Sequence, residues 1–369
     1  MWLERSGTCP LTLKIDEPPF ARHIGFDAED ERRARQHAVQ IEVASLLVSQ
    51  AHRWKSIDFQ FTLTFPHVLA KLSPGSLSIL ESVKLEGPRN RSGLYNEKSF
   101  VSRDNFWAVI NACPSLRKGQ WEAEYCWHQY RHHRLQDVRW GQLTSVDVAM
   151  PAILLFEILP FCTTLTELCY TEPQGSWAKD LSPCFPRLEN PITLPHLRKI
   201  SLTPTMSTDV IFEYITAPSL ASVFFDQSRT VETCNPSPST FNAFLTRSNC
   251  RLQQYSYKYL PQDERGQDTL LEILDLPSMA FAVDLAIHGS RETMPRLIPF
   301  LARTSETLQR LPNIKKITIR GIYIPQVALS KMVLSRRSSQ DHNLALLEEL
   351  SLSHQTFNAL DLDGLDIGE

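Results

Sequence analysis

Leu197-Arg-Lys-Ile200-Ser-Leu202, Leu220-Ala-Ser-Val223-Phe-Phe225 and Leu252-Gln-Gln-Tyr255-Ser-Tyr257 share one pattern. An apolar residue is followed by two others, an apolar, one other and a final apolar. The closing alternation has period two, the signature of a strand with one buried face. The pattern recurs upstream at Leu80–Leu85, Leu143–Val148 and Leu165–Tyr170, and downstream at Ile314–Ile319 and Leu347–Leu352. Ser56-Ile57-Asp-Phe59 and Ala282-Val283-Asp-Leu285 keep the alternation, and Leu116-Arg-Lys-Gly119-Gln-Trp121 keeps only its ends. Leu135–Trp140 also matches but overlaps the unit at Leu143, so it reads as a loop or an extra strand.

The central positions, from Ile57 to Leu350, follow one another at 22 to 36 residues. Between them lie apolar residues at helical spacing, over 103–112, 151–161, 208–215, 240–246 and 269–274, with Ser102, Ser207 and Ser239 as candidate N-caps. A strand followed by a returning helix cannot bury its own apolar face, and stacking such units closes a common core. The sequence therefore predicts an α/β fold. Specifically, it is an irregular leucine-rich-repeat solenoid, a horseshoe with parallel strands on the concave face and helices outside. Residues 1–55 are expected as an N-terminal cap, 56–357 as the solenoid and 358–369 as an acidic tail.

Composition agrees. The chain has 369 residues, 42% of them hydrophobic, with 48 Leu and only 13 Gly. The net charge of −3 argues against a nucleic-acid coat. No signal peptide or membrane-spanning run is visible, which points to a cytoplasmic or nuclear protein with reduced thiols. Of eight cysteines, no two form a C-x-x-C pair. Cys113, Cys162 and Cys250 each fall between a helix and a strand and are expected to be buried and inert.

The N-terminal third carries a likeness. Trp2-Leu3-Glu-Arg-Ser6-Gly7 with Pro10-Leu11-Thr-Leu13, then Ser49-Gln-Ala-His-Arg53-Trp54-Lys-Ser-Ile57, resembles the segment after the F-box in mushroom-type fungal F-box proteins. The Cys-Pro-x-Leu turn and the leucine-rich units extend the likeness almost to the end of the chain. The resemblance implies the substrate-recognition part of a cullin-type ubiquitin ligase. The F-box itself, which docks on the Skp adaptor, would stand before Trp2 and is absent from the sequence. These 369 residues alone are therefore not expected to bind that adaptor. The alternative is a stand-alone scaffold or sensor without a ubiquitin connection.

A third reading, an enzyme with a dispersed site, has no motif to carry it. No phosphate loop, nucleophile elbow or H-E-x-x-H occurs. Cys126, His128, His132 and His133 have metal-ligand chemistry at a spacing that matches no familiar site. Trp121, Tyr125, Trp127 and Tyr130 beside Arg131 and Arg134 are offset by Glu122 and Glu124, so an insertion packed on the solenoid is the plainer reading than a nucleic-acid site. Arg336-Arg337-Ser338-Ser339 has the pattern that attracts a base-directed kinase, with an ordinary surface loop as the equal alternative. No catalytic residue, cofactor, metal, nucleic acid or membrane is expected. The expected partner is a protein on the concave face. Its candidate contacts come from the outward positions of three middle units: Lys199, Ser201, Phe224, Asp226, Ser256 and Lys258. Phe224 would be the aromatic anchor, unless the following segment covers it, with Lys199 and Lys258 steering an acidic partner.

Overall fold

The computed structural model describes residues 2–16, 27–60, 68–86, 106, 108–121, 138–172, 190–203, 208–226, 236–258, 264–289, 296–303, 310–321, 324–337 and 344–352. The expectations on Ser102, Ser207, the Cys126–His133 cluster, the loop after Asp226 and the acidic tail lie outside these residues. Strand neighbours follow chain order through a parallel sheet of twelve strands, with helices between strands. The chain divides into two compact units, Met1–Leu165 with Pro173–Cys184, and Thr166–Glu172 with Phe185–Glu369.

In the first unit the strands are β1 (Leu11–Asp16), β2 (Trp54–Gln60), β3 (Ser82–Glu86), β4 (Lys118–Trp121) and β5 (Ser145–Ala149). Each pairs in parallel with the next. The segment 1–55 thus supplies a strand of its own as well as the long helix Asp27–Ser49. Its two sequence landmarks meet at Arg53. This buried guanidinium donates to the carbonyls of Leu3, Ser6 and Cys9, to Ser6 Oγ at 2.8 Å and to Gln50 Oε1 at 2.9 Å. Trp54 beside it is fully buried, donates from its indole N–H to Leu47 O and meets Phe59 edge-on at 5.7 Å. The weak copy at Gly119 is a strand after all. Leu135–Trp140 ends in a 3-10 turn over Trp140–Gln142 instead of a strand, as far as it is described.

In the second unit the strands are β6 (Glu167–Thr171), β7 (Ile192–Thr193), β8 (Lys199–Thr203), β9 (Ile215–Thr216), β10 (Ser222–Asp226), β11 (Gln254–Lys258), β12 (Asp284–His288), β13 (Lys316–Arg320) and β14 (Glu349–Leu352). β7 and β9 form a separate pair, and the rest pair in parallel in the order β6-β8-β10-β11-β12-β13-β14. The template predicts the core residue by residue. Its first, fourth and sixth positions are buried in every full copy, except that Leu350 and Leu352 of the last are half-exposed. Behind β10 and β11, Phe212, Phe225, Phe241, Phe244 and Tyr255 pack ring on ring at 4.8 to 6.3 Å. Such contacts add to the area these rings bury.

One backbone device repeats. The carbonyl at the second template position accepts two N–H groups from the second and third positions of the next unit. Glu81, Arg117, Thr166, Arg198, Ala221, Gln253, Val283 and Lys315 all do so. At these eight positions the double clip holds the next strand at a matching height before its ladder begins.

The helices depart from expectation in two places. The helix Pro238–Ser248 is capped by Ser237, whose Oγ accepts from Thr240 N at 3.1 Å, and not by Ser239. Pro238 at the first helical position has no N–H to satisfy, which suits it to that place. The helix Gln326–Arg337 takes in the two arginines of the suggested kinase motif, whose serines lie outside the described residues. Arg336 is buried and donates to Leu301 O at 2.5 Å and Leu311 O at 3.3 Å, so it is no part of a surface loop.

Candidate protein-binding face

Residues between the inward template positions point away from the helices, because strand side chains alternate. Ladder register aligns those of the second unit in three rows. The first holds Glu167, Lys199, Ser222, Gln254, Asp284, Lys316 and Glu349. The middle row is Cys169, Ser201, Phe224, Ser256, Ala286, Thr318 and Ser351. The third is Thr171, Thr203, Asp226, Lys258, His288 and Arg320.

The six candidate residues are brought together. Phe224 lies directly between Ser201 and Ser256 in register, and Asp226 lies against Lys258. Phe224 is half-buried, Ser201 is half-exposed and Lys199 is exposed. Two details differ from the sequence reading. Ser256 is 7% exposed, between Phe224 and Ala286 in register, so it offers little surface to a partner. Lys258 Nζ is 2.9 Å from Asp226, so part of its charge is answered within the face. Along the first row, Ser222 Oγ donates to Gln254 Oε1, Gln254 Nε2 to Asp284, and Lys316 pairs with Glu349 at 2.9 Å. These cross-strand contacts hold polar side chains in fixed places.

His288 and Arg320 belong to the face and were passed over in the sequence. The signal was present, since they occupy the outward positions of units starting at Ala282 and Ile314, one and two units beyond those that were read.

Burial pushes the thiols of Cys113 and Cys162 up to about 11 and about 12, and raises that of Cys250. Cys113 Sγ and Cys162 Sγ lie 3.3 and 3.4 Å from the carbonyls of Val109 and Ile158. Thiols so placed are weak nucleophiles. A cavity of about 590 Å³ on the helix side is lined by Asp268, Glu272, Asp275, Arg296, Phe300 and Arg310. Its arginines are engaged: Arg310 pairs with Asp275 at 2.8 Å and stacks on Phe300, and Arg296 pairs with Asp268. Among the described residues, no group of three or more His, Cys, Asp or Glu is placed to hold a metal, and no helix is long and apolar enough to cross a membrane.

Sheet, helices and repeated clips define a leucine-rich-repeat-like α/β solenoid. No family model matches the chain, and no curated protein matches it by sequence. Among solved structures it is similar to a protein from Bacteroides fragilis, at 10% identity and a TM-score of 0.45, covering 91% of this chain and 88% of that one. It is also similar to a chain of the yeast Rad7 and Elc1 complex, at 13% identity and a TM-score of 0.37, covering 87% and 76%. At these scores neither likeness bears on what this chain binds.

Proposed function

We propose that the chain is a non-catalytic protein-recognition module that meets its partner on the outward sheet face of the second unit. The observation that supports this most is the middle row. One aromatic residue, Phe224, stands among small side chains on a rigid ladder. Partner side chains can approach the strands closely there, with an aromatic anchor at hand. The N-terminal resemblance adds the finer reading, the substrate-binding region of an F-box protein, with the Skp adaptor engaged only through an upstream F-box. A stand-alone scaffold is the second reading. Both readings go with the cytoplasmic or nuclear location expected from the sequence.

The test is site-directed photocrosslinking in cells. A crosslinker replacing Ser201 or Ala286 on the sheet face is expected to capture a discrete protein, and one replacing the exposed Thr246 on the helix side is not. Ser201→Arg is expected to abolish capture at Ala286. Crosslinks confined to the helix side would defeat the proposal.

A further inference from the structure

The outward face is uneven in charge. Its first row holds three acids and two lysines, a net charge of −1: Glu167 stands opposite Lys199, and Lys316 lies between Asp284 and Glu349. Its middle row carries no charge. The third row ends differently, because register sets Lys258, His288 and Arg320 side by side on β11, β12 and β13, at a strand spacing of about 4.8 Å. The acid there is Asp226, against Lys258. Arg320 is exposed, and among the described residues no acidic side chain is paired with it.

The backbone just beyond keeps this row in place. Gly289 N–H donates to Arg320 O at 2.8 Å. Gly321 has φ +69°, and a Cβ there would lie 2.3 Å from Gly289 O. Glycine alone allows that approach, so β12 and β13 stay in register through His288 and Arg320.

We infer that Lys258, His288 and Arg320 form an anion-recognising edge of this face and take a carboxylate-bearing, acidic segment of a protein partner. The inference rests on the recognition reading above and names the partner's chemistry. With His288 neutral, the row holds two cations and one anion, a net charge of +1. That suits one or two carboxylates, which arginine grips with two parallel bonds. A nucleic-acid backbone calls for a longer basic track, and the net charge of −3 opposes it.

A proton accompanies the anion. Partial burial first, then Arg320 and Lys258, hold the His288 pKa below its ordinary value, and Asp226 acts the other way. Lys258 and Asp226 face it from the β11 and β10 side, and Arg320 from β13. A bound carboxylate offsets the two cations and raises the pKa. Binding therefore takes up a proton. The added affinity is full below the free His288 pKa and is lost as pH rises through the bound one.

The probe is a fluorescein-labelled poly-glutamate peptide, followed by anisotropy at low ionic strength, with poly-glutamine and a single-stranded oligonucleotide of equal length as further arms. Poly-glutamate is expected to bind and poly-glutamine not. Arg320→Ala is expected to weaken binding about 5- to 10-fold, and Lys331→Ala, on the helix Gln326–Arg337 away from the sheet face, to leave it unchanged. Binding is expected to tighten several-fold from about pH 7.5 to about pH 6, and His288→Gln to remove that response. Thermal melting checks that each variant folds, with Arg320→Gln as the second choice. Absence of poly-glutamate binding, unchanged binding by the Arg320 variant, or tighter binding of the oligonucleotide overturns the assignment. If poly-glutamate fails while crosslinking at Ser201 persists in Arg320→Glu, the acidic partner falls and the recognition module stands. If sheet-face crosslinking fails too, both fall.

Discussion

Arg53 and Arg336 are large cations buried against backbone carbonyls. Burial lowers the Arg336 pKa to about 10, with neighbouring Arg303 adding to the effect. Carbonyls can serve because a guanidinium has five donors in a fixed fork, and irregular turns leave acceptors exposed. Nothing in the letters Arg336-Arg337-Ser338-Ser339 shows this. Helix phase and the carbonyls of Leu301 and Leu311 decide it, and both come from distant residues. The cysteines were more legible, since the position between helix and strand already implies burial. Native iodoacetamide labelling at about pH 8 is expected to modify the exposed Cys9 rapidly and to spare Cys113 and Cys162, whose thiols stay protonated far above that pH. Peptide mass mapping reads the outcome, and equal labelling of Cys162 and Cys9 would contradict the structure.

Strands were legible element by element because period two survives in short segments. β4 survived even with Gly119 at its centre, since Leu116 and Trp121 still bracket it and both neighbouring ladders hold it. β1 escaped notice because Leu11-Thr-Leu13 has no helix and strand of the template before it. Helix ends were less legible. Ser237 and Ser239 flank Pro238 and are equally good capping residues, and the choice depends on which Oγ reaches the free N–H of Thr240. Ser237→Ala is expected to lower stability by about 1 kcal/mol, and Ser239→Ala by less than about 0.5 kcal/mol. Chemical denaturation of the two variants separates them, and the reverse order would return the cap to Ser239.

For the whole molecule, the repeat made the architecture readable. Its function was readable only as a surface, because the repeat pattern fixes which positions point outward and not what they meet. Phe224 stood out there by its type, whereas His288 and Arg320 stood out only once register aligned them with Lys258. The F-box resemblance leads to an expectation at this scale. Calorimetric titration of the isolated 369-residue chain with a Skp adaptor is expected to show no binding. A micromolar or tighter complex would show that these residues contain a docking element of their own.

The double clip at the second template position bears on how the chain is made. Eight strands receive their height and first hydrogen bonds from the unit synthesised before them, 23 to 36 residues earlier. Within each unit no ladder awaits a distant segment, so the entropy of closing each loop stays small. A growing chain can lay down one strand at a time against a finished edge while the ribosome is still adding the next.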